Sequence, residues 1–127
     1  MDRFLLVAAG GAVGAMARYG LGLQALRLLG SAWPFGTLAA NLIGGLLMGL
    51  LSGWLSQKGG ADPERFRLLL GVGVLGGFTT FSAFSLETAA MIERRELGSA
   101  LAYALVSVVL SVLAVFAGLA LARRGIA

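Results

Sequence analysis

The sequence predicts an all-α integral membrane protein with four spanning helices, and three observations carry the prediction. The 127 residues are 58% hydrophobic and only 13% charged, with a mean hydropathy of +0.90, whereas a soluble domain carries about 25% charged residues. The apolar residues gather into four runs, at about 4–29, 36–56, 66–92 and 98–122. Each suffices for a bilayer, which needs roughly 20 helical residues. The linkers are short, so no soluble domain fits and residues 1–127 are expected to form a single transmembrane domain.

In the first run Arg3 precedes apolar sequence, as in a secretory leader, but Gly- and Ala-rich sequence continues to Leu29. A retained first helix is expected. Gly30–Phe35 supplies the first turn. In the second run Thr37 and Asn41 lie one helical turn apart on one face. Between the second and third runs, Asp62 reads as an N-cap, Pro63 as the first helical residue and Glu64 as an acid at the favourable end of the dipole. Glu93–Leu97 joins the last two runs. In the fourth run Tyr103, Ser107 and Ser111 recur every four residues as a polar stripe. The pairs Gly10/Gly14, Gly45/Gly49, Gly49/Gly53 and Gly73/Gly77 have the spacing that lets membrane helices approach closely.

The third run is the unusual one. Gly76-Gly77-Phe78-Thr79-Thr80-Phe81-Ser82-Ala83-Phe84-Ser85 places two glycines, two threonines and two serines inside an apolar span. A polar group without a partner there costs about 2–7 kcal/mol. The hydroxyls compete for backbone hydrogen bonds, so a break in the helix is expected. Irregular backbone at membrane depth persists only where protein buries it or where it lines a watery or ion-filled space. The stretch is therefore a candidate ion site.

The composition excludes several kinds of chemistry. There is no Cys and no His, which removes thiols, imidazole bases and the usual transition-metal ligands. No nucleophile–base pair is present, which argues against an enzyme. Of the six acids only Glu87 falls near membrane depth, two residues past Ser85, a candidate for facing a vestibule mouth or an interfacial partner that orients the helices. The net charge of +4 comes from Arg and Lys that flank apolar runs, as headgroup anchors do, and implies no nucleic-acid partner. Arg18 is the one basic residue well inside a span. It is a candidate for orienting helices or for drawing anions to a vestibule, unless it snorkels to the interface.

What remains is a set of donors without a fixed buried charge: Asn41, Ser82, the Tyr103 and Ser107 hydroxyls, and the ring edges of Phe81 and Phe84. Phenyl edges carry partial positive charge and favour an anion without trapping it. As packing residues, Asn41 would instead bond a neighbouring helix, for about 0.6 kcal/mol, and each serine its own backbone. Carbonyls released around Gly76–Thr80 suit a hard cation. Four short helices are too few to enclose a pore, so an oligomer with its conduit at the interface is expected. With four spans, the side holding both termini carries Arg3, Lys58, Arg65, Arg67, Arg123 and Arg124, and the other Arg27, Arg94 and Arg95. That bias is small. Charge alone slightly favours one topology with cytoplasmic termini over insertion in both orientations.

Three segments resemble one family. Gly76-Gly77-Phe78-Thr79-Thr80-Phe81-Ser82-Ala83-Phe84 is similar to the third-helix signature of the Fluc (CrcB-like) fluoride channels. Gly10-Gly11-Ala12-Val13-Gly14-Ala15-Met16-Ala17-Arg18-Tyr19 resembles the first-helix pattern, and Gly36-Thr37-Leu38-Ala39-Ala40-Asn41-Leu42-Ile43-Gly44 the second. The resemblance covers essentially the whole chain. It implies an antiparallel, dual-topology homodimer in the bacterial plasma (inner) membrane, with two pores for passive fluoride export that relieves toxicity. It implies a structural Na⁺ at the dimer centre on the backbone carbonyls of Gly76 and Thr79. It implies Asn41, Phe81, Ser82, Phe84 and Tyr103 as pore residues. One departure is Ala83, where the signature often has Thr, so one hydroxyl of the polar track is missing. The alternative is a small dual-topology multidrug transporter. That chemistry needs a membrane carboxylate for proton exchange, and the first three runs offer none before Glu87, which lies past the middle of the third. A non-conducting membrane anchor would need neither Asn41 and Ser82 nor the paired phenyls.

Overall fold

The computed structural model describes residues 2–58 and 63–125. Among them the chain is helical apart from short turns: α1 (Asp2–Leu29), α2 (Phe35–Lys58), α3 (Pro63–Phe66), a π-helical run (Arg67–Leu75), α4 (Gly76–Phe78), α5 (Ser82–Glu93) and α6 (Leu97–Gly125). Four helical stretches are long and apolar enough to cross a membrane: Asp2–Leu29, Phe35–Ser56, Glu64–Glu93 and Leu97–Gly125. They coincide with the four runs read from the sequence. Pro63 opens α3 as expected, whereas Asp62, read as its N-cap, lies outside the described residues.

The turns follow from local chemistry. α1 ends where Gly30 takes φ +83° and its N–H closes on the Leu26 carbonyl, the left-handed stop that glycine supplies without a steric penalty. Between α5 and α6, Arg95 takes φ +62°. Its N–H bonds the Ile92 carbonyl at 2.9 Å, and the Glu96 N–H bonds the Met91 carbonyl at 2.9 Å. This is a Schellman turn with arginine in the glycine position. The π-helical winding of Arg67–Leu75 carries no signal in composition or periodicity, and the sequence reading missed it.

Glycine sets the packing. α2 lies along α6 because Gly45, Gly49 and Gly53 meet the backbone or small side chains of Ser111, Val115, Leu119 and Ala122, while Gly118 returns the contact against Leu46 and Leu50. α1 lies along the third helical stretch, with Gly10 against Gly73 and Val74, Gly14 against Val74 and Phe78, and Gly77 against Gly11. All four glycine pairs picked out by spacing sit at such approaches. The small apolar core at the α5–α6 end holds Met91, Ala100 and Tyr103 under Trp33, Leu38 and Phe84. Trp33 Nε1 donates to Ser99 Oγ at 2.7 Å and pins the first turn to the start of α6.

Candidate ion site

Helical backbone stops at Phe78 and resumes at Ser82. Thr79 still donates its N–H to the Leu75 carbonyl at 3.0 Å, but its own backbone is extended, at φ −86°, ψ 160°. The chain then turns at Thr80 and Phe81, and the Ser85 N–H bonds the Phe81 carbonyl at 2.8 Å as helix returns.

Side chains from two other helices and from the segment itself satisfy this irregular stretch. Asn41 on α2 grips the Thr80 peptide from both sides: its Nδ2 donates to the Thr80 carbonyl at 3.0 Å, and its Oδ1 accepts the Thr80 N–H at 2.9 Å. Arg18 on α1 donates from Nε to the Gly77 carbonyl at 3.4 Å. Within the stretch, Thr79 Oγ1 donates to the Leu75 carbonyl at 3.0 Å, and Thr80 Oγ1 accepts the Ala83 N–H at 3.2 Å. Ser82 Oγ lies 3.3 Å from Thr80 Oγ1, so these two hydroxyls share a hydrogen bond.

A cavity of about 510 Å³ opens beside the interruption, and Asn41, Gly76, Thr79, Phe81, Phe84 and Ser107 line it. It therefore gathers six of the residues singled out from the sequence. The Phe81 and Phe84 rings stand 5.6 Å apart, inclined at 45°. Phe81 is 76% exposed, while Phe84 is half-buried against Tyr103. Ser107 and Ser111 also line the cavity, and their buried hydroxyls have no hydrogen-bond partner among the described residues. Buried hydroxyls normally find one, so these two keep unspent donor capacity beside the cavity. None of the lining residues carries a formal charge.

Four of the singled-out residues lie off this lining, among them Arg18, which reaches the Gly77 carbonyl. Ser82 is exposed at the start of α5. Tyr103 is fully buried, with Trp33 edge-on at 5.4 Å. Its hydroxyl donates to Glu87 Oε1 at 2.9 Å, and Thr37 Oγ1 donates to Glu87 Oε2 at 2.9 Å. Glu87 thus ties α5 to α2 and α6, and lines a second cavity of about 270 Å³ with Thr37, Trp33 and Phe35. The sequence reading left Glu87 between a pore mouth and a structural partner, and the structure supplies two partners. Thr37 and Asn41 do share a face, and both reach the 80–87 region.

The sequence reading passed over Thr80, although a hydroxyl three residues before Ala83 has the spacing of a helix cap. It also passed over Met48 and the part that Gly44 and Gly45 play beside Asn41 in the α2 lining of the cavity. Only the pairing of α2 with the interruption exposes them.

The fold and site can be set beside known proteins. The family model described as CrcB-like protein, Camphor Resistance (CrcB), matches residues 5–119. The chain is 65% identical over 124 residues to a protein named Fluoride-specific ion channel FluC from Caulobacter sp. (strain K31), covering 98% of this chain and 97% of the relative. It is 68% identical over 124 residues to a protein of the same name from Phenylobacterium zucineum (strain HLK1), covering 98% of each. A third of that name, from Caulobacter vibrioides (strain NA1000 / CB15N), is 56% identical over 124 residues, again covering 98% of each. With helices suited to a multi-pass membrane protein and a family match over nearly its whole length, the chain belongs to the CrcB-like family of fluoride-specific ion channels.

Proposed function

We propose that this protein is a fluoride-selective channel that lets fluoride leave the cytoplasm passively across the bacterial inner membrane and so relieves its toxicity. The observation that carries this reading is the cavity beside the third-helix interruption. Its lining offers hydrogen-bond donors and phenyl rings but no cationic side chain. Fluoride is small and strongly hydrated, so its water must be replaced by donors as it enters. A lysine or arginine in the path would bind it too tightly to release, since conduction needs sites weak enough to leave. The Ser107 and Ser111 hydroxyls have no partner among the described residues, and Asn41 keeps one N–H beyond its bond to Thr80. With the Phe81 and Phe84 edges they form the track. Ser82, exposed at the start of α5, extends it at one end, and Tyr103, whose hydroxyl proton is given to Glu87, backs the Phe84 ring.

The working unit in this proposal is an antiparallel homodimer in the lipid bilayer. One chain leaves Phe81 and Val108, both beside the cavity, 76% and 54% exposed, and a second copy would cover them. The third helical stretch, read as a span broken at Thr79–Phe81, would cross its counterpart there. A Na⁺ ion fits the donor set at that crossing. Of residues 76–79, Gly76 and Thr79 line the cavity. In an unbroken helix their carbonyls would accept the Thr80 and Ala83 N–H groups, but those groups bond elsewhere. Neutral carbonyl oxygens suit a hard cation. Bound there, the ion supplies a fixed positive charge that holds the two crossed segments together.

The deciding experiment is flux. Purified protein in liposomes loaded with potassium fluoride should release fluoride rapidly once the membrane potential is clamped, and should retain chloride under the same gradient. Fluoride release no faster than from protein-free liposomes would sink the proposal. A multidrug transporter would instead move protons against organic cations, and Glu87, engaged by Thr37 and Tyr103, is poorly placed for that exchange. Topology has its own test. The chain has no cysteine, so a single Cys introduced at either terminus reports sidedness without background. Labelling by an impermeant maleimide from both sides of the membrane is the expected result, and labelling from one side alone would refute dual insertion.

A further inference from the structure

The interruption raises a question that membrane depth makes sharp: what keeps the Gly76 and Thr79 carbonyls from being recaptured by the helix? In water, solvent would hold a broken helix open. In a bilayer each unpaired N–H costs several kcal/mol, about 2–7, so the strongest pull on Thr80 and Ala83 is to bond back to Gly76 and Thr79 and heal the break. The break persists only if each N–H has another acceptor.

The structure supplies one acceptor for each. Asn41 Oδ1 takes the Thr80 N–H at 2.9 Å, the group that would otherwise close on Gly76. Thr80 Oγ1 takes the Ala83 N–H at 3.2 Å, the group that would otherwise close on Thr79. Between them the Gly77 carbonyl, next in line for the Phe81 N–H, is held by Arg18 Nε at 3.4 Å. Resting on the reading of these carbonyls as a cation site, we infer that the Thr80 side chain is a positioning residue for that site. Its hydroxyl keeps the Thr79 carbonyl available to the cation, as the Asn41 amide does for Gly76. Thr80 does not touch the ion through its side chain. It acts by occupying a competitor.

This division also explains the local choice of residue. The hydroxyl must accept from an N–H three residues ahead while its own proton goes elsewhere, and Ser82 Oγ at 3.3 Å offers a place for it. Serine at 80 would do the same. Valine, of the same shape, would not.

The test reads cation binding directly. Thermal unfolding of the purified protein is followed as Na⁺ is titrated at constant ionic strength against N-methyl-D-glucamine. A ligand that binds only the folded protein raises the melting temperature with a concentration midpoint that reports its affinity. Wild type should show such a midpoint for Na⁺. Thr80→Val should raise the midpoint by about tenfold or more, and Thr80→Ser should keep it within about twofold of wild type. Should Thr80→Val yield no folded protein, Thr80→Ala removes the same hydroxyl with less bulk and carries the same expectation. A midpoint unchanged in the hydroxyl-free variant, with wild type responding, would overturn the role of Thr80 and leave the cation site standing. A wild type indifferent to Na⁺ would remove the cation site itself, and the inference with it.

Discussion

Asn41→Asp is expected to cut fluoride flux by about 10²–10³-fold while the protein still assembles. The substitution is nearly isosteric and keeps the oxygen that accepts the Thr80 N–H. It replaces the Nδ2 that donates to the Thr80 carbonyl with a second oxygen, so two acceptors now face each other. It also places a negative charge on the lining of an otherwise uncharged cavity. At ~4 Å two like charges repel by about 1 kcal/mol in bulk water and about 4 kcal/mol at an effective dielectric of 20. Each 1.4 kcal/mol is tenfold in occupancy, so the lower part of that range still exceeds one decade once the lost donor is added. The measurement is fluoride efflux from liposomes by ion-selective electrode, normalised to the amount of reconstituted protein, with size-exclusion elution as the assembly control. Efflux at the wild-type rate would take Asn41 off the fluoride path and leave it only the structural task of gripping the Thr80 peptide.

The extent to which the molecule could be read from its sequence depends on the range of the interaction. Span positions were legible because the bilayer imposes length and apolarity on each helix separately, and the four stretches fall where the runs do. The glycine pairs were legible as surfaces of close approach, since their spacing is local. Their partners were not: nothing in Gly45/Gly49 says that the facing helix is α6, nor in Gly10/Gly14 that it is the π-helical run. The polar stretch at 76–85 announced a candidate ion site by composition alone. How it is held open was hidden, because Asn41 and Thr80 are 39 residues apart. Glu87 could not be resolved from sequence for the same reason: its partner Thr37 is 50 residues away on another helix. Thr80 is different. Its bond to Ala83 is local and had a recognisable spacing, but the stretch was read as side chains facing an ion, and a hydroxyl facing its own backbone was overlooked.

Gly49→Ala should destabilise the protein by more than about 4 kcal/mol, whereas Gly98→Ala should be neutral or slightly stabilising. Both positions are helical, and in both the added methyl improves intrinsic helix propensity by about 1 kcal/mol. The propensity effect is therefore common to the two variants, and their difference reports packing. At Gly49 the new Cβ falls on the Val115 carbonyl and against the Leu119 N–H. These are backbone atoms of α6, which cannot rotate away as a side chain can. At Gly98 a Cβ meets nothing among the described residues within 4 Å. Relief at Gly49 requires α2 and α6 to separate, and that separation is not local. Gly45 and Gly53 lie on the same stripe, and Gly118 presses back from α6 onto Leu46 and Leu50, so every contact on the seam loosens together. Cores punish such overpacking by about 1–3 kcal/mol where side chains can yield, and by more where they cannot. The consequence reaches the ion site. α2 carries Asn41 and α6 carries Ser107, and the two helices form facing parts of one cavity. A seam forced apart moves the amide that grips Thr80 relative to Ser107 and Ser111 across the cavity. Folded yield and melting temperature in detergent should therefore fall for Gly49→Ala, and any protein that survives should lose fluoride flux. A Gly49→Ala protein with wild-type melting and flux would show that α2 and α6 are not held together along this stripe.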